Sequence, residues 1–158
     1  MFPINNYKHK IPTEGQASFG GVRKFDIHTG VDLYCNNETL VFAIEDGIVV
    51  NIENFTGESA GSPWWNETNS ILIEGESGVI LYGELKPLTA IGETIKKGEL
   101  IGFVVPVLKK DKGVNPTTML HMELYKHGTR ESVWWKLDEP QPSELLDVTK
   151  ILQNLLLI

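Results

Sequence analysis

The alternation of apolar and polar residues along the chain predicts short β-strands rather than helices. Two apolar segments, Ser70 to Ile73 and Val79 to Tyr82, flank a glycine-containing turn and so predict a β-hairpin. Leu40 to Ile52 is predicted to form two strands joined at Asp46-Gly47, a dipeptide typical of hairpin turns. Leu100 to Val105 is continuously apolar, which predicts a buried strand. Frequent glycine and the lack of a helical period before residue 140 favour an all-β sandwich or partly open barrel.

Two further segments alternate and carry polar residues on one predicted face. From Met119 to Tyr125, the side chains of Met119, His121, Glu123 and Tyr125 fall on one face of a strand, and apolar residues fall on the other. His28 to Leu33 also alternates, which places His28 and Asp32 on the same face of an extended segment. If both are to reach one ion, the chain must bend between them, and Gly30 supplies the backbone freedom.

The end of the chain has a helical period. Ser143 is a good N-cap, and apolar residues recur at helical spacing from there to Ile158, which predicts a C-terminal helix. We expect an irregular lead-in over residues 1–17, a β domain over 18–127, and a connector with the helix over 128–158. The helix is predicted to pack on the β domain, and packing on another subunit, which would make the protein an oligomer, is the alternative.

Composition and charge limit the classes of function. The chain has 158 residues, enough for one ordinary domain, with 41% hydrophobic and 22% charged residues. Its net charge of -7 disfavours nucleic acid and anionic surfaces as partners. Cys35 is the only cysteine, so no intrachain disulfide can form. No apolar run is long enough for a membrane span and no signal peptide is evident, so a cytoplasmic location is expected, or an exported one if Met1 is not the native start.

Three residues form a candidate metal site. A histidine and an aspartate four residues apart, His28 and Asp32, are followed about ninety residues later by His121 in the alternating strand. Catalytic zinc sites usually have three protein ligands from His, Asp, Glu and Cys, and they leave one position open. The same set of two imidazoles and one carboxylate also suits iron, nickel or manganese.

Several motifs, in this order, resemble the lysostaphin-like (LytM-type) family of zinc metallopeptidases, which cut peptide cross-links in bacterial peptidoglycan. The resemblance covers about residues 11–125. It is carried by the following segments: Phe19 to Arg23, His28 to Leu33, Val41 to Val49, Tyr82 to Leu85, Gly92 to Gly102 and Leu120 to Leu124. It implies an antiparallel barrel-sandwich of the lysostaphin-like type, and one zinc ion bound by His28, Asp32 and His121. A peptide or a peptidoglycan fragment is the implied substrate.

Two positions depart from the family pattern. Such enzymes have a histidine in a His-x-His motif, where this chain has Met119, and another in a Tyr-x-His-Leu motif, where it has Glu84. The resemblance therefore implies retained metal ligands and two replaced catalytic histidines. Glu84 could act as a general base or as a fourth ligand, or it could be an ordinary solvated carboxylate. Methionine neither donates nor accepts a proton at neutral pH.

Three functional hypotheses follow from this pattern. The first is a metal-binding family member that is an impaired or divergent hydrolase. The second is an active zinc metalloendopeptidase that cleaves peptidoglycan-type peptides with Glu84 as the base. The third is a non-enzymatic regulator that binds a ligand or a partner.

Three other features have a structural interpretation and a functional alternative. The pairs Trp64-Trp65 and Trp134-Trp135 fall in predicted loops. They are expected to be core plugs or lids over strand ends, and the alternative is an aromatic surface that binds glycan or peptide. Cys35 is expected to be a small buried side chain rather than a fourth ligand.

Overall fold

The fold is known from a computed structural model that describes residues 1–110 and 117–157. This part of the chain contains nine β-strands and one α-helix, and its sheet pairing is antiparallel, which confirms the predicted all-β class with one C-terminal helix. The elements are β1 (Val31–Tyr34), β2 (Leu40–Phe42), β3 (Gly47–Thr56), β4 (Thr68–Gly75), β5 (Gly78–Pro87), β6 (Thr94–Ile95), β7 (Leu100–Val104), β8 (Met119–Tyr125), β9 (Leu145–Leu146) and α1 (Thr149–Leu156).

The strand order brings distant parts of the chain together. Along the main sheet the order is β1-β8-β5-β4-β3-β6, so β8 lies between two strands that precede it in sequence by more than thirty residues. β5 also pairs with β7 beyond the point where it leaves β8, from Leu85 opposite Val104 onward. β7 pairs in turn with β2, and β9 pairs with β8.

Both faces of the central strands are buried. On one face, Leu120, Met122 and Leu124 of β8 join the larger apolar cluster, together with Leu33 of β1. On the other face, Tyr125 joins a smaller cluster with Leu72, Val79, Leu81 and Leu145. The predicted alternation of β8 is therefore correct, and the face that carries His121 and Glu123 continues into the smaller cluster.

One predicted hairpin is confirmed and the other is wrong. β4 and β5 pair antiparallel through Gly75 opposite Gly78, as predicted. β2 does not pair with β3 across Asp46-Gly47, because β2 pairs with β7, and β3 pairs with β4 and β6. Asp46 instead accepts a hydrogen bond from the backbone N–H of Lys97 at 2.7 Å. Gly47 lies so close to β4 that an added Cβ would be 2.5 Å from the carbonyl oxygen of Glu74.

The C-terminal helix begins later than predicted. Leu145 and Leu146 are extended as β9 and pair with Tyr125 and Leu124, because β8 has an open edge there that needs hydrogen-bond partners. The helix begins at Thr149, whose backbone N–H donates to Asp147 Oδ1 at 2.9 Å, so Asp147 rather than Ser143 stabilises its start. Ile158, the last residue of the predicted helix, lies outside the described residues.

Both ends of the described chain pack on the sheet. Ile4 and Ile11 of the irregular N-terminal segment are buried in the larger cluster, as are Val148 and Leu152 near and within α1. Trp135 packs on the smaller cluster, whereas Trp64, Trp65 and Trp134 are exposed and are therefore not core plugs. Among the helices of the described residues, none has the length and apolar character that a membrane crossing requires.

Candidate metal centre

Cross-strand register places two of the three predicted ligands opposite each other. Asp32 of β1 pairs directly with His121 of β8, so their side chains project from the same face of the sheet. Gly30 permits this pairing for a different reason from the one predicted. Its backbone conformation is not left-handed, but an added Cβ would be only 2.0 Å from the carbonyl oxygen of Met122. Glycine is thus required by the close approach of β1 to β8.

The third candidate ligand lies in a loop outside the strands. His28 lies before β1, where its carbonyl accepts a hydrogen bond from Gly20 N–H and its own N–H donates to Gly21 carbonyl, both at 2.9 Å. The next residue back, Ile27, donates its N–H to the carbonyl of Trp135 at 2.9 Å, which attaches the loop to the C-terminal connector. His28 is therefore positioned by backbone contacts and does not share a strand with Asp32, contrary to the predicted extended segment.

The three side chains converge on one buried point. Asp32 Oδ1 lies 2.8 Å from His121 Nδ1 and 3.2 Å from His28 Nε2, and the two ring nitrogens are 3.1 Å apart. One ligand atom from each residue lies within 4.8 Å of the others, so the group could hold a metal ion. All three residues are buried, with at most 4% of their surface exposed.

Outer hydrogen bonds set the histidine tautomers in a form that suits a cation. His28 Nδ1 donates to the carbonyl oxygen of Ser18 at 2.9 Å, which leaves Nε2 with its lone pair toward the site. His121 Nε2 donates to Glu123 Oε1 at 2.8 Å, which leaves Nδ1 toward the site. Three acceptor atoms then face one another, and only a cation or a proton can lie between them without repulsion. The residues present therefore fit a divalent cation with nitrogen and oxygen ligands.

Charge within the site supports the same conclusion. Burial acts to raise the pKa of Asp32, but its hydrogen bonds with His121 and His28 hold that pKa well below the usual range. Burial acts to lower the pKa of His121, yet the hydrogen bonds with Asp32 and Glu123 raise it to about 10. The carboxylates of Asp32 and Glu123 thus favour positive charge at His121 and at the point that the three side chains share.

Arg23 and Glu123 complete the surroundings of the ligands. The Arg23 guanidinium donates to Asp32 Oδ2 at 3.0 Å and to the carbonyl of Gln16 at 2.7 Å, which leaves Asp32 Oδ1 for the site. Glu123 is fully buried and accepts hydrogen bonds from His121, Thr29 and Tyr125. Burial acts to raise the pKa of Glu123, but the hydrogen bond from His121 lowers it, so the carboxylate stays ionised. Glu123 thus orients His121 and increases the basicity of its imidazole, whereas Arg23 orients Asp32.

Replacing Glu123 with glutamine should weaken cation binding about 10- to 100-fold, the usual cost of losing an outer-shell partner. The amide removes the negative charge beside His121 and cannot accept from both Thr29 and Tyr125 as the carboxylate does. Zinc affinity measured by competition with a chromogenic chelator checks this. Glu53→Gln is the matched control, because Glu53 accepts backbone N–H bonds from Ser132 and contacts no ligand. Equal zinc affinity in the two variants would contradict the assignment.

Glu84 lies at a β-bulge beside the ligands. Ser70 pairs with Gly83 and Asn69 with Leu85, so Glu84 is the extra residue of β5, and it adopts a left-handed φ of 62°. Gly83 itself pairs with His121. Within the described residues, the buried Oε2 of Glu84 has no hydrogen-bond partner. Burial and the nearby charge of Asp32 raise the pKa of Glu84 to about 8, against the opposing charges of His121 and Arg23.

The position of Glu84 distinguishes between its predicted roles as a fourth ligand and as a general base. The carboxyl is near enough to Asp32 and His121 to feel their charges, but it is not a member of the group whose ligand atoms lie within 4.8 Å. The arrangement favours a three-ligand site with a separate carboxyl beside it over a four-ligand site. Met119 begins β8 opposite Tyr34 of β1, one position further out along the same face than the Asp32–His121 pair.

More than half of the chain matches a known protein family. Residues 26–132 match the family described as peptidase family M23. The chain belongs to this family. The lysostaphin-like resemblance predicted from the motifs is thus confirmed, although the replacement of catalytic histidines remains a prediction. A comparison with curated proteins finds no match.

Three solved structures illustrate the similarity of fold. The catalytic domain of an alanine-to-histidine mutant of EnpA, a prophage-encoded M23 protein from Enterococcus faecalis, has a TM-score of 0.54 and 20% identity, covering 89% of this chain and 98% of that one. A zinc-containing peptidase from Vibrio cholerae has a TM-score of 0.53 and 21% identity, covering 77% of this chain and 35% of that one. Lysostaphin has a TM-score of 0.53 and 22% identity, and the match covers 95% of this chain and 51% of lysostaphin. These likenesses establish the M23 fold.

Sequence reasoning identified the three M23 ligand candidates and Glu84, and it missed the residues around them. Arg23 was part of a family motif, but its contact with Asp32 depends on how the loop folds back. Glu123 was placed on the face of His121, and a carboxylate two residues from a candidate ligand on the same face was a usable signal. Thr29 and Tyr125 gave no signal, because their role appears only when both contact Glu123.

Proposed function

We propose that the protein is a divergent M23 hydrolase that binds one divalent cation, most readily zinc, through His28 Nε2, Asp32 Oδ1 and His121 Nδ1. It would cleave an amide bond in a peptide of the peptidoglycan type. The observation that carries this proposal is the convergence of three acceptor atoms, in side chains whose other polar atoms are hydrogen-bonded to Ser18, Arg23 and Glu123.

A divalent cation bound here would supply Lewis acidity, which polarises a carbonyl group and makes water a stronger acid. The residues around it perform the remaining tasks. Arg23 and Glu123 orient two of the ligands, and Phe55 packs 5.4 Å from the His121 ring, measured between ring centroids, which limits water on that side. The cation site would therefore keep one geometry through a reaction.

Glu84 is the proposed base. In its ionised form, which predominates above its pKa of about 8, the Glu84 carboxylate can accept a proton from the attacking water as water adds to the carbonyl carbon. It can return that proton to the departing amine nitrogen. Its buried oxygen without a partner supports this role, because in the described residues no other group competes for that lone pair. A left-handed φ at a glutamate is also uncommon, and the bulge interrupts the regular alternation of side chains at Glu84.

The second candidate function is binding without catalysis. Met119 supports it, because a thioether on the ligand face cannot stabilise negative charge on a carbonyl oxygen in the way a histidine could. The protein would then bind a cation and a peptide ligand, or a protein partner, without cleaving an amide bond.

Glu84→Gln separates the two candidates. For a working hydrolase, we expect kcat on cross-linked peptidoglycan peptides to fall by at least about 100-fold, the usual contribution of a general base, with zinc stoichiometry unchanged. Release of new amines, followed by mass spectrometry, is the measurement. Glu76→Gln, an exposed change in the turn of the same β4–β5 hairpin, is the control and should leave kcat unchanged.

Met119→His tests the alternative directly. If the natural chain holds one zinc ion but cleaves no peptide in a broad panel, and Met119→His gains activity, then the natural chain is a binding protein. Activity in the natural chain that survives Glu84→Gln would contradict the assigned base.

A further inference from the structure

At the candidate metal centre, two rows of residues run across the strands on the same face of the sheet. The first row runs from Asp32 on β1 through His121 on β8 to Gly83 on β5. The next row outward contains Tyr34 on β1 opposite Met119 on β8, and Glu84 follows Gly83 at the point where β5 leaves β8. Tyr34 and Glu84 thus lie on the two strands that neighbour β8, with backbones about 10 Å apart, the width of two strand spacings.

Tyr34 is placed to reach a bound substrate. It lies two residues after Asp32 in β1, so its side chain leaves the sheet on the face that carries the ligands. It is 39% exposed, whereas Asp32, His28 and His121 are buried, so the ring stands at the opening of the centre.

Amide hydrolysis is accelerated by a hydrogen-bond donor beside the carbonyl oxygen, in addition to a bound cation. When water adds to the carbonyl carbon, a C–O bond forms, the π electron pair moves onto the carbonyl oxygen, and that oxygen becomes negatively charged. Preorganised hydrogen-bond donors aimed at this oxygen are a large source of catalysis. Met119 cannot donate, but a tyrosine hydroxyl can, and it keeps its proton at neutral pH.

We infer that Tyr34 is a catalytic residue whose hydroxyl donates a hydrogen bond to the carbonyl oxygen of the scissile amide as the tetrahedral state forms over Met119. This inference rests on the proposed hydrolase function. The attacking water gives its proton to Glu84, and the same proton passes to the amine nitrogen when the C–N bond breaks. Tyr34 donates a hydrogen bond and transfers no proton, so the proton transfers between water, Glu84 and the amine nitrogen are complete without it.

The test compares Tyr34→Phe with Tyr7→Phe. Tyr7 packs with the larger apolar cluster on the other face of the sheet. Among the residues that the structure describes, its hydroxyl makes only a long hydrogen bond to the Lys10 carbonyl at 3.4 Å. Each protein is loaded with zinc, and two quantities are measured: the Ki of a phosphinate peptide, whose tetrahedral oxygen imitates the charged intermediate, and kcat and KM on the matching peptide.

In Tyr34→Phe we expect the Ki and kcat each to worsen by about 100-fold, the usual loss of one such donor, with KM and zinc stoichiometry unchanged. Tyr7→Phe should match the natural protein. Unchanged kcat and Ki in Tyr34→Phe would overturn the role of Tyr34 and leave the hydrolase proposal intact. A changed zinc stoichiometry would also overturn this role, because it would show that Tyr34 acts on the structure of the centre. A natural protein that binds zinc but neither the phosphinate nor the peptide would overturn both.

Discussion

His121→Ala is expected to abolish stoichiometric zinc binding, with an affinity loss on the order of 1000-fold or more, well above the cost of an outer-shell change. The imidazole is the one ligand that contacts both Asp32 and Glu123, at 2.8 Å each. Without it, two acceptor atoms remain in the centre, and the buried carboxylates face each other with no cation between them. Zinc content by atomic absorption after dialysis, and affinity by chelator competition, are the measurements.

His127→Ala is the control for the histidine change. His127 follows β8 closely but is exposed, and its Nε2 bonds to the carbonyl of Gly75, away from the centre. This variant should retain one zinc ion per chain. Because loss of His121 also leaves buried charge unpaired, near-ultraviolet circular dichroism must first show that both variants are folded. A folded His121→Ala protein that still binds one zinc ion at the original affinity would refute the assigned ligand set.

Gly30→Ala is expected to lower the free energy of unfolding by about 3 kcal/mol, the upper part of the range for overpacking. The new Cβ would lie 2.0 Å from the carbonyl oxygen of Met122 and 2.9 Å from the Glu123 side chain. Backbone atoms of a paired strand cannot move aside alone, so β1 would separate from β8 and Asp32 would leave His121. Urea unfolding followed by circular dichroism measures the change, and zinc affinity should fall with it.

Gly61→Ala separates steric conflict from backbone conformation. Gly61 has a left-handed φ of 81° and open space around its Cβ position, so alanine there should cost only about 1 kcal/mol for the conformation. Gly30 has the opposite properties, a tight contact and no left-handed backbone. The prediction for Gly30 fails if its substitution costs no more than the one at Gly61.

Local patterns were enough to predict much of the fold. The β4–β5 hairpin and the alternation of β8 depend on residues close in sequence, and both were correct. The pairing of β2 with β7 depends on contacts between residues about sixty apart, so a hairpin dipeptide at Asp46-Gly47 could not reveal it. The same holds for Leu145 and Leu146, whose helical spacing was outweighed by the open edge of β8.

Sequence motifs predicted which three side chains come together in the candidate centre, but not the contacts around them. The motifs that resemble the M23 family pointed to His28, Asp32 and His121, and the three are indeed close together. Their spacing alone could not show that His28 sits in a loop tied to Trp135 or that Arg23 occupies one oxygen of Asp32. Such contacts join segments that meet only in the folded chain, and no periodicity encodes them.

The insertion of β8 between β1 and β5 has a consequence for the order of assembly. During synthesis, His28 and Asp32 leave the ribosome long before His121, which is 93 positions after His28. The two early residues cannot hold a cation in the final geometry until the late strand has entered the gap between its neighbours. Loop closure over that distance is slow, so cation capture should follow folding rather than nucleate it. A truncated nascent chain would then have no metal to retain.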